Sequence, residues 1–188
     1  LVEIIKKKVK FNFEIIIIND GSTDNTINIL KIFNKTKKVR VINLKENIGK
    51  AYALEIGLKF SRSPLIAILD SDLQYDPNDL NKMYQIINNL NCEFVNGLRV
   101  KRKDNLLTNI FSKFYRFLLS IIFNIKMYDY FSGIKMFKKN KIRRMEYIGL
   151  IRFYLIYLSR EKLKISEIEV KHIKLKNNKS SYNFIDRV

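Results

Sequence analysis

Glu14-Ile15-Ile16-Ile17-Ile18-Asn19-Asp20-Gly21-Ser22-Thr23-Asp24 decides the fold class. A β-branched run that is apolar on both faces belongs inside a parallel sheet, covered by helices on either side. It breaks into a polar turn. Gly21 there admits positive φ or the close approach of a ligand, and Ser22, Thr23 or Asp24 caps the helix beyond. Ile27, Leu30 and Ile32 or Phe33 are expected on that helix's buried side. The pattern then recurs. Lys38 to Leu44 reads as a strand, and Asn47-Ile48-Gly49 turns into a helix with Ala51, Leu54 and Leu58 inward. Leu65 to Leu69 is a buried strand ending at Asp70, expected beside Ile15–Asn19. Asp76 caps and Pro77 starts a helix reaching about Leu90, and Glu93 to Leu98 is a further strand.

Strands alternating with helices make βαβ units, hence an α/β fold with a mostly parallel sheet flanked by helices. Ligands in such sheets bind beyond the C-terminal strand ends. Those ends lie at Asp20, near Asn47, at Asp70 and after Gly97, where the chain turns from apolar to polar. Further on, Leu106 to Ile125 is an amphipathic helix and Tyr128 to Gly133 a polar-aromatic loop. Ile134 to Phe137 is a short strand, Lys139 to Tyr147 and Phe153 to Arg160 are helices, Ile165 to His172 is a strand, and Lys174 to Tyr182 is basic and polar.

With 188 residues, 47% of them hydrophobic, the chain is one domain's worth of sequence and able to bury a core. A single cysteine, Cys92, excludes a disulfide framework, and a single histidine, His172, leaves oxygen as the donor for any metal. Residues 1–100 carry 15 basic and 11 acidic side chains, and residues 101–188 carry 21 and 7, so most of the +18 net charge sits in the second part. Nucleic acid, an anionic membrane surface or a phosphorylated substrate would each answer to that charge. An AT-rich coding sequence would give the same Lys, Ile and Asn excess. The longest apolar stretch, Phe117 to Phe123, is far below the roughly 18–20 residues of a membrane span. The start, Leu1 to Phe13, is too charged for a signal peptide and opens on Leu rather than Met.

Asp70-Ser71-Asp72-Leu73-Gln74 places two carboxylates and an amide oxygen at a strand end. That set is hard and dianionic, suited to Mg²⁺ or Mn²⁺ completed by water and phosphate. Solvated loop acids that cap a helix would look the same in sequence. Asp20 to Asp24, taken alone, reads as a capping turn.

The two motifs stand about fifty residues apart, with one βα unit between them. Together with Asn47-Ile48-Gly49-Lys50-Ala51, Pro77, Gly97-Leu98-Arg99, the stretch Asp129 to Phe137, Ile168-Glu169-Val170 and Lys179-Ser180-Ser181-Tyr182, they resemble the ordered blocks of family-two GT-A glycosyltransferases. The nearest branch is the polyprenyl-phosphate glycosyltransferases, dolichyl-phosphate mannose synthase-like and bactoprenol glucosyltransferase-like. The resemblance implies a Rossmann-like GT-A domain over residues 1–188. It also implies a nucleotide-sugar donor, Mg²⁺ or Mn²⁺, a polyprenyl-phosphate acceptor and a place on the cytoplasmic face of a membrane. By that likeness Asp70, Asp72 and Gln74 hold the metal. Asp20, Gly21, Ser22 and Lys50 join Asp70 and Asp72 in binding the nucleotide sugar. Arg99 and Arg102 bind phosphate, Asp129 sits at the transferring centre, and Lys179, Ser180 and Tyr182 form an acceptor loop. The family's first strand has no counterpart before Glu14, and Leu1 to Phe13 reads as the end of the helix that follows it. The chain is thus expected to be a fragment lacking that strand and any C-terminal transmembrane helices.

Three alternatives stay open in the sequence: a hydroxyl acceptor, with Asp129 taking its proton; a non-catalytic remnant of the fold; and a basic nucleic-acid-binding module, for which no helix-turn-helix, zinc-finger or RRM motif speaks. Oligomeric state is not legible. In Leu106–Ile125, residues Leu106, Leu107, Ile110, Phe111, Phe114, Phe117, Leu118, Ile121 and Ile122 form an apolar stripe. Lys113 and Arg116 lie off it, with Lys101, Arg102 and Lys103 just before it. Such a stripe fits either an anionic bilayer surface or the protein's own core.

Overall fold

The structure is a computed structural model. It describes residues 1–100, 106–125, 127–130, 132–142 and 162–173, with the side chains of 34, 106–113, 115 and 142 excepted. The elements in chain order are α1 (Val2–Lys8), β1 (Ile15–Asn19), α2 (Thr26–Lys31), β2 (Val39–Asn43), α3 (Lys50–Phe60), β3 (Leu65–Leu69), α4 (Asp79–Asn89), β4 (Phe94–Val100), α5 (Leu106–Phe123), β5 (Ile134–Lys138), α6 (Lys139–Ile142) and β6 (Ile165–Lys171).

β1 and β2 form a parallel pair, with Ile15 opposite Val39 and Asn19 opposite Asn43. A second sheet runs β3-β5-β4-β6; β5 is antiparallel to both neighbours, and β4 is parallel to β6. The expectation that Ile15–Asn19 and Leu65–Leu69 are neighbours is corrected on pairing: β1 bonds to β2 and β3 bonds to β5. An apolar cleft separates β1 from β3. Their C-terminal ends still emerge together, since both Asp20 and Asp70 bond to the start of α3.

Alternation along the strands splits the core between two faces. On one face Ile66 and Ile68 of β3, Phe94 of β4 and Phe137 of β5 pack with Leu54 and Leu58 of α3 and Leu119 of α5. On the other, Val95, Ile134, Met136, Ile168 and Val170 pack under Leu80, Met83 and Ile87 of α4, with Val9 following α1. Met83, Val95 and Ile134 have no solvent exposure, so truncating any of them to Ala would cost roughly 2–5 kcal/mol.

α2 departs from its expected amphipathic role. It buries no residue, and Ile27, Ile29 and Ile32 are exposed. Six residues beside a two-stranded sheet have little apolar surface to cover. α4 begins at Asp79, two residues after Pro77, with Asn78 at its N-cap; Asp76 Oδ1 accepts the Asn78 amide and so braces the turn leading in. α5 ends at Phe123 because Asn124 takes φ 50°, the left-handed conformation that stops helices. The expected helix Lys139–Tyr147 is seen as α6, its remainder lying outside the described residues, as do the expected helix Phe153–Arg160 and the segment Lys174–Tyr182.

Candidate active site

Asp20 follows β1 and turns back onto the start of α3. Its Oδ1 accepts the Ile48 amide at 2.8 Å and its Oδ2 the Gly49 amide at 3.0 Å. The carboxylate therefore fixes the turn at a helix N-terminus, where a negative charge is favoured. Gly21 has φ +63°, and a Cβ there would stand 2.3 Å from the backbone of Glu46 and Asn47, so the two turns pack backbone to backbone. Ser22 is held by its amide, which donates to Asn19 Oδ1 at 3.3 Å.

Lys50, the first residue of α3, places Nζ 2.5 Å from Asp70 Oδ1. Asp70 leaves β3 beside Gly133, whose added Cβ would meet Asp70 Oδ2 at 2.3 Å and the Tyr75 ring at 2.9 Å. Only a residue without a side chain lets that carboxylate lie across the strand before β5. Asp72 Oδ1 accepts the Gln74 amide at 3.1 Å, bending the chain over Leu73, which takes φ 63°. Asp70 and Asp72 are thus presented at one strand end. Gln74 commits its Oε1 to His172 Nε2 at 3.2 Å. Among the described residues no three His, Cys, Asp or Glu side chains converge. Carboxylates such as those of Asp70 and Asp72, at one strand end, are hard oxygen donors of the kind that suit Mg²⁺ or Mn²⁺.

Arg99 and Asp129 form a bidentate pair, Nε–Oδ2 2.6 Å and Nη2–Oδ1 2.7 Å, with the Arg99 amide adding 3.2 Å to Oδ2. Both side chains are about nine-tenths buried. Arg102, Lys179, Ser180 and Tyr182 lie outside the described residues.

Three residues of the site were not singled out in the sequence. Glu167 on β6 accepts the Tyr128 amide at 2.6 Å and the Asp129 amide at 3.1 Å, which holds the loop carrying Asp129. Asn96, fully buried on β4, donates to the Asp129 carbonyl at 2.5 Å and to Glu167 Oε1 at 3.0 Å. Lys135 on β5 donates to the Ser132 carbonyl. Burial pushes its ammonium down to about 8, helped by the Lys50 and Arg99 charges and resisted by Asp70 and Asp129. The available signal was a polar or charged residue inside an otherwise apolar strand, since such a group is kept only when partnered.

An α/β domain with acidic turns at two strand ends, joined through the start of one helix, is a GT-A glycosyltransferase fold. Residues 1–146 match the model of glycosyl transferase family 2, and the chain belongs to that family. It is 32% identical over 140 residues to a dodecaprenyl-phosphate galacturonate synthase of Rhizobium johnstonii, covering 73% of this chain and 41% of the relative. To an undecaprenyl-phosphate 4-deoxy-4-formamido-L-arabinose transferase of Shewanella sediminis it is 26% identical, over 94% of this chain and 54% of the relative. The chain therefore spans about half the length of these relatives. The crystal structure of glucosyl-3-phosphoglycerate synthase from Mycobacterium tuberculosis, with Mn²⁺, UDP-glucose and phosphoglyceric acid, shares the fold. Its TM-score is 0.65 at 15% identity, covering 87% of this chain and 61% of that one.

Proposed function

We propose that the domain transfers a sugar from a nucleotide-sugar donor to a polyprenyl-phosphate acceptor, with Mg²⁺ or Mn²⁺ bound by Asp70 and Asp72. The observation that carries this reading is the meeting of Asp20 and Asp70 at the first residues of α3. It puts a metal-binding carboxylate pair beside a helix N-terminus and a lysine, a setting for a diphosphate. The metal, when bound, offsets the charge that grows on the departing nucleoside diphosphate. Lys50 adds a cation on the same side, exchanging its contact with Asp70 for donor phosphate. Asp20 and Gly21 keep the Asn47–Gly49 turn in place, so the α3 amides are oriented before the donor arrives.

Asp129 supports a phosphate acceptor over a hydroxyl one. Both of its oxygens are engaged by Arg99, Oδ2 by Nε and the backbone amide and Oδ1 by Nη2, so the carboxylate is committed to holding the loop. A phosphate oxygen is already ionised at neutral pH and needs no general base. In this reading Arg99 and Asp129 position the loop between β4 and β5 rather than exchange protons. The names of the two polyprenyl-phosphate relatives support the same acceptor class.

The acceptor's lipid calls for a membrane surface, and in this proposal the domain works on its cytoplasmic face. On α5, Phe114, Phe117, Leu118, Ile121 and Ile122 are exposed, while Leu119 and Phe123 face the core. These five belong to the stripe read from the sequence, the side chains of Leu106, Leu107, Ile110 and Phe111 lying outside the described residues, and apolar surface of this kind suits a headgroup boundary. Among the described residues no helix is long and apolar enough to cross a membrane.

Calorimetric titration of UDP and GDP with and without Mn²⁺ tests the donor site. Metal-dependent binding of either nucleotide, lost in Asp72→Asn, is expected. Equal binding with and without metal overturns the metal assignment. Transfer of label from a bound nucleotide's sugar donor to undecaprenyl phosphate in vesicles then tests the acceptor. Transfer only to soluble hydroxyl acceptors would replace the lipid-phosphate reading.

A further inference from the structure

Lys135 stands between the two acidic groups of the site. It lies in β5, directly opposite Ile68 of β3 and Asn96 of β4. Ile68 is two residues before Asp70, and Asn96 bonds to the Asp129 carbonyl. Alternation puts the Lys135 side chain on the strand face of Phe137, where Ile66, Ile68 and Phe94 pack, so its stem starts among apolar neighbours. At the polar end its ammonium donates to the Ser132 carbonyl. The charges of Lys50, Asp70, Asp129 and Arg99 all act on it.

This cation is anchored where Lys50 is not. Lys50 is exposed at the first turn of α3 and reaches Asp70 by its own side chain, so it can swing to a ligand. Lys135 grows from a strand paired on both sides, β3 to one side and β4 to the other. Its ammonium is tied to the segment whose backbone abuts Asp70. The Gly133 carbonyl accepts the Asp70 amide at 3.3 Å, and the Gly133 amide donates to the Tyr75 hydroxyl at 2.8 Å.

Charge arithmetic then decides what the turn accepts. Asp70 and Asp72 bring two negative charges, and Lys50 and Lys135 bring two positive ones. With a divalent metal ion alone the turn would be two charges positive, and an anchored ammonium cannot withdraw to relieve it. The diphosphate of a nucleotide sugar carries two negative charges at neutral pH and restores the balance. Metal and diphosphate each favour the other's binding, and that coupling is reciprocal.

We propose, building on the donor-site reading, that Lys135 couples the two ligands: its charge, acting through Asp70, disfavours a bare metal ion at Asp70 and Asp72 and favours the metal together with a nucleoside diphosphate.

Two affinities of the 188-residue chain test this, both at about pH 6.5, below the Lys135 value of about 8, so that the ammonium is charged. One is for Mn²⁺ alone, read from the free-ion EPR signal. The other is for UDP or GDP in saturating Mn²⁺, read by calorimetry and corrected for Mn²⁺–nucleotide complexes in solution. The parent is expected to bind Mn²⁺ at least ~10-fold more tightly with nucleotide than without it. Lys135→Met and Lys135→Gln both remove the charge, and the glutamine keeps an N–H donor for Ser132. Each should bind Mn²⁺ alone at least ~3-fold more tightly than the parent, and nucleotide at least ~3-fold more weakly. Lys135→Arg, which keeps the charge, should show neither change. A side chain that merely props the loop would weaken both affinities when removed. Weakening of both in the Met and Gln variants therefore overturns the coupling role, as does an unchanged Mn²⁺ affinity or an Arg variant that follows Met. A parent that binds Mn²⁺ equally with and without nucleotide overturns it too, while leaving the metal site standing. A parent that binds neither ligand overturns the donor-site reading itself, and the role of Lys135 with it.

Discussion

Arg99 holds Asp129 through two parallel hydrogen bonds of 2.6 and 2.7 Å in a nine-tenths buried setting, tying the end of β4 to the loop before β5. Removing one partner strands the other's charge. Arg99→Met is expected to lower unfolding free energy by about 3–5 kcal/mol, whereas Arg99→Met with Asp129→Leu should recover most of it. Urea unfolding of the two single variants and the double variant measures the cycle. A double variant as unstable as the singles would refute the pairing energetics.

Asp72→Asn keeps the acceptor for the Gln74 amide and removes one negative charge. Its thermal midpoint should stay within that of a neutral surface change, about ±0.5 kcal/mol, while Mn²⁺-dependent nucleotide binding disappears. Retained metal dependence would mean that Asp72 is not a ligand.

Gly133→Ala places a methyl group 2.3 Å from Asp70 Oδ2. Overpacking of this kind costs about 1–3 kcal/mol, and here it also turns Asp70 away from Lys50. We expect a lower thermal midpoint together with weakened Mn²⁺–nucleotide affinity. A variant that binds as tightly as the parent would show that Asp70 does not need its present rotamer.

Lys135 sets a pH dependence. Its folded value of about 8 lies below the ordinary lysine value of 10.5. Between these two pH values the unfolded chain holds a proton there that the folded chain has released, so stability rises with pH across that window. The slope approaches 1.4 kcal/mol per pH unit for this one group, about the value of a full proton. Stability profiles of the metal-free parent and of Lys135→Met should diverge from pH 8 upward, the parent gaining relative to the variant. Parallel profiles would show that the ammonium is not desolvated.

The α5 stripe predicts reversible docking. Vesicles with rising anionic lipid should sediment the protein, and Phe117→Ser with Ile121→Ser, both more than half exposed, should reduce that binding by at least ~10-fold without lowering the thermal midpoint. Undiminished sedimentation of that variant would move the contact elsewhere.

Sequence alone determined the βα alternation, because a run such as Ile15–Ile18 is apolar on both faces and tolerates only a covered sheet. It also marked the candidate positions Asp20, Asp70, Arg99 and Asp129, since each breaks an apolar strand or begins the loop beside one. Local signals did not reach farther. That Asp20 grips the α3 turn, that Lys50 meets Asp70, and that Asp129 is neutralised by Arg99 are relations across 20 to 30 residues of chain, settled only when the strands take their order. Strand order depends on long-range pairing, which periodicity does not encode. β5 enters antiparallel between β3 and β4, and β1 stands apart from β3 across a cleft. The same limit explains α2, whose apolar spacing is helical yet exposed, because the neighbouring surface decides burial. Lys135 and Glu167 acquired their roles in the same way: a charge within a strand becomes part of a site only when folding surrounds it with partners.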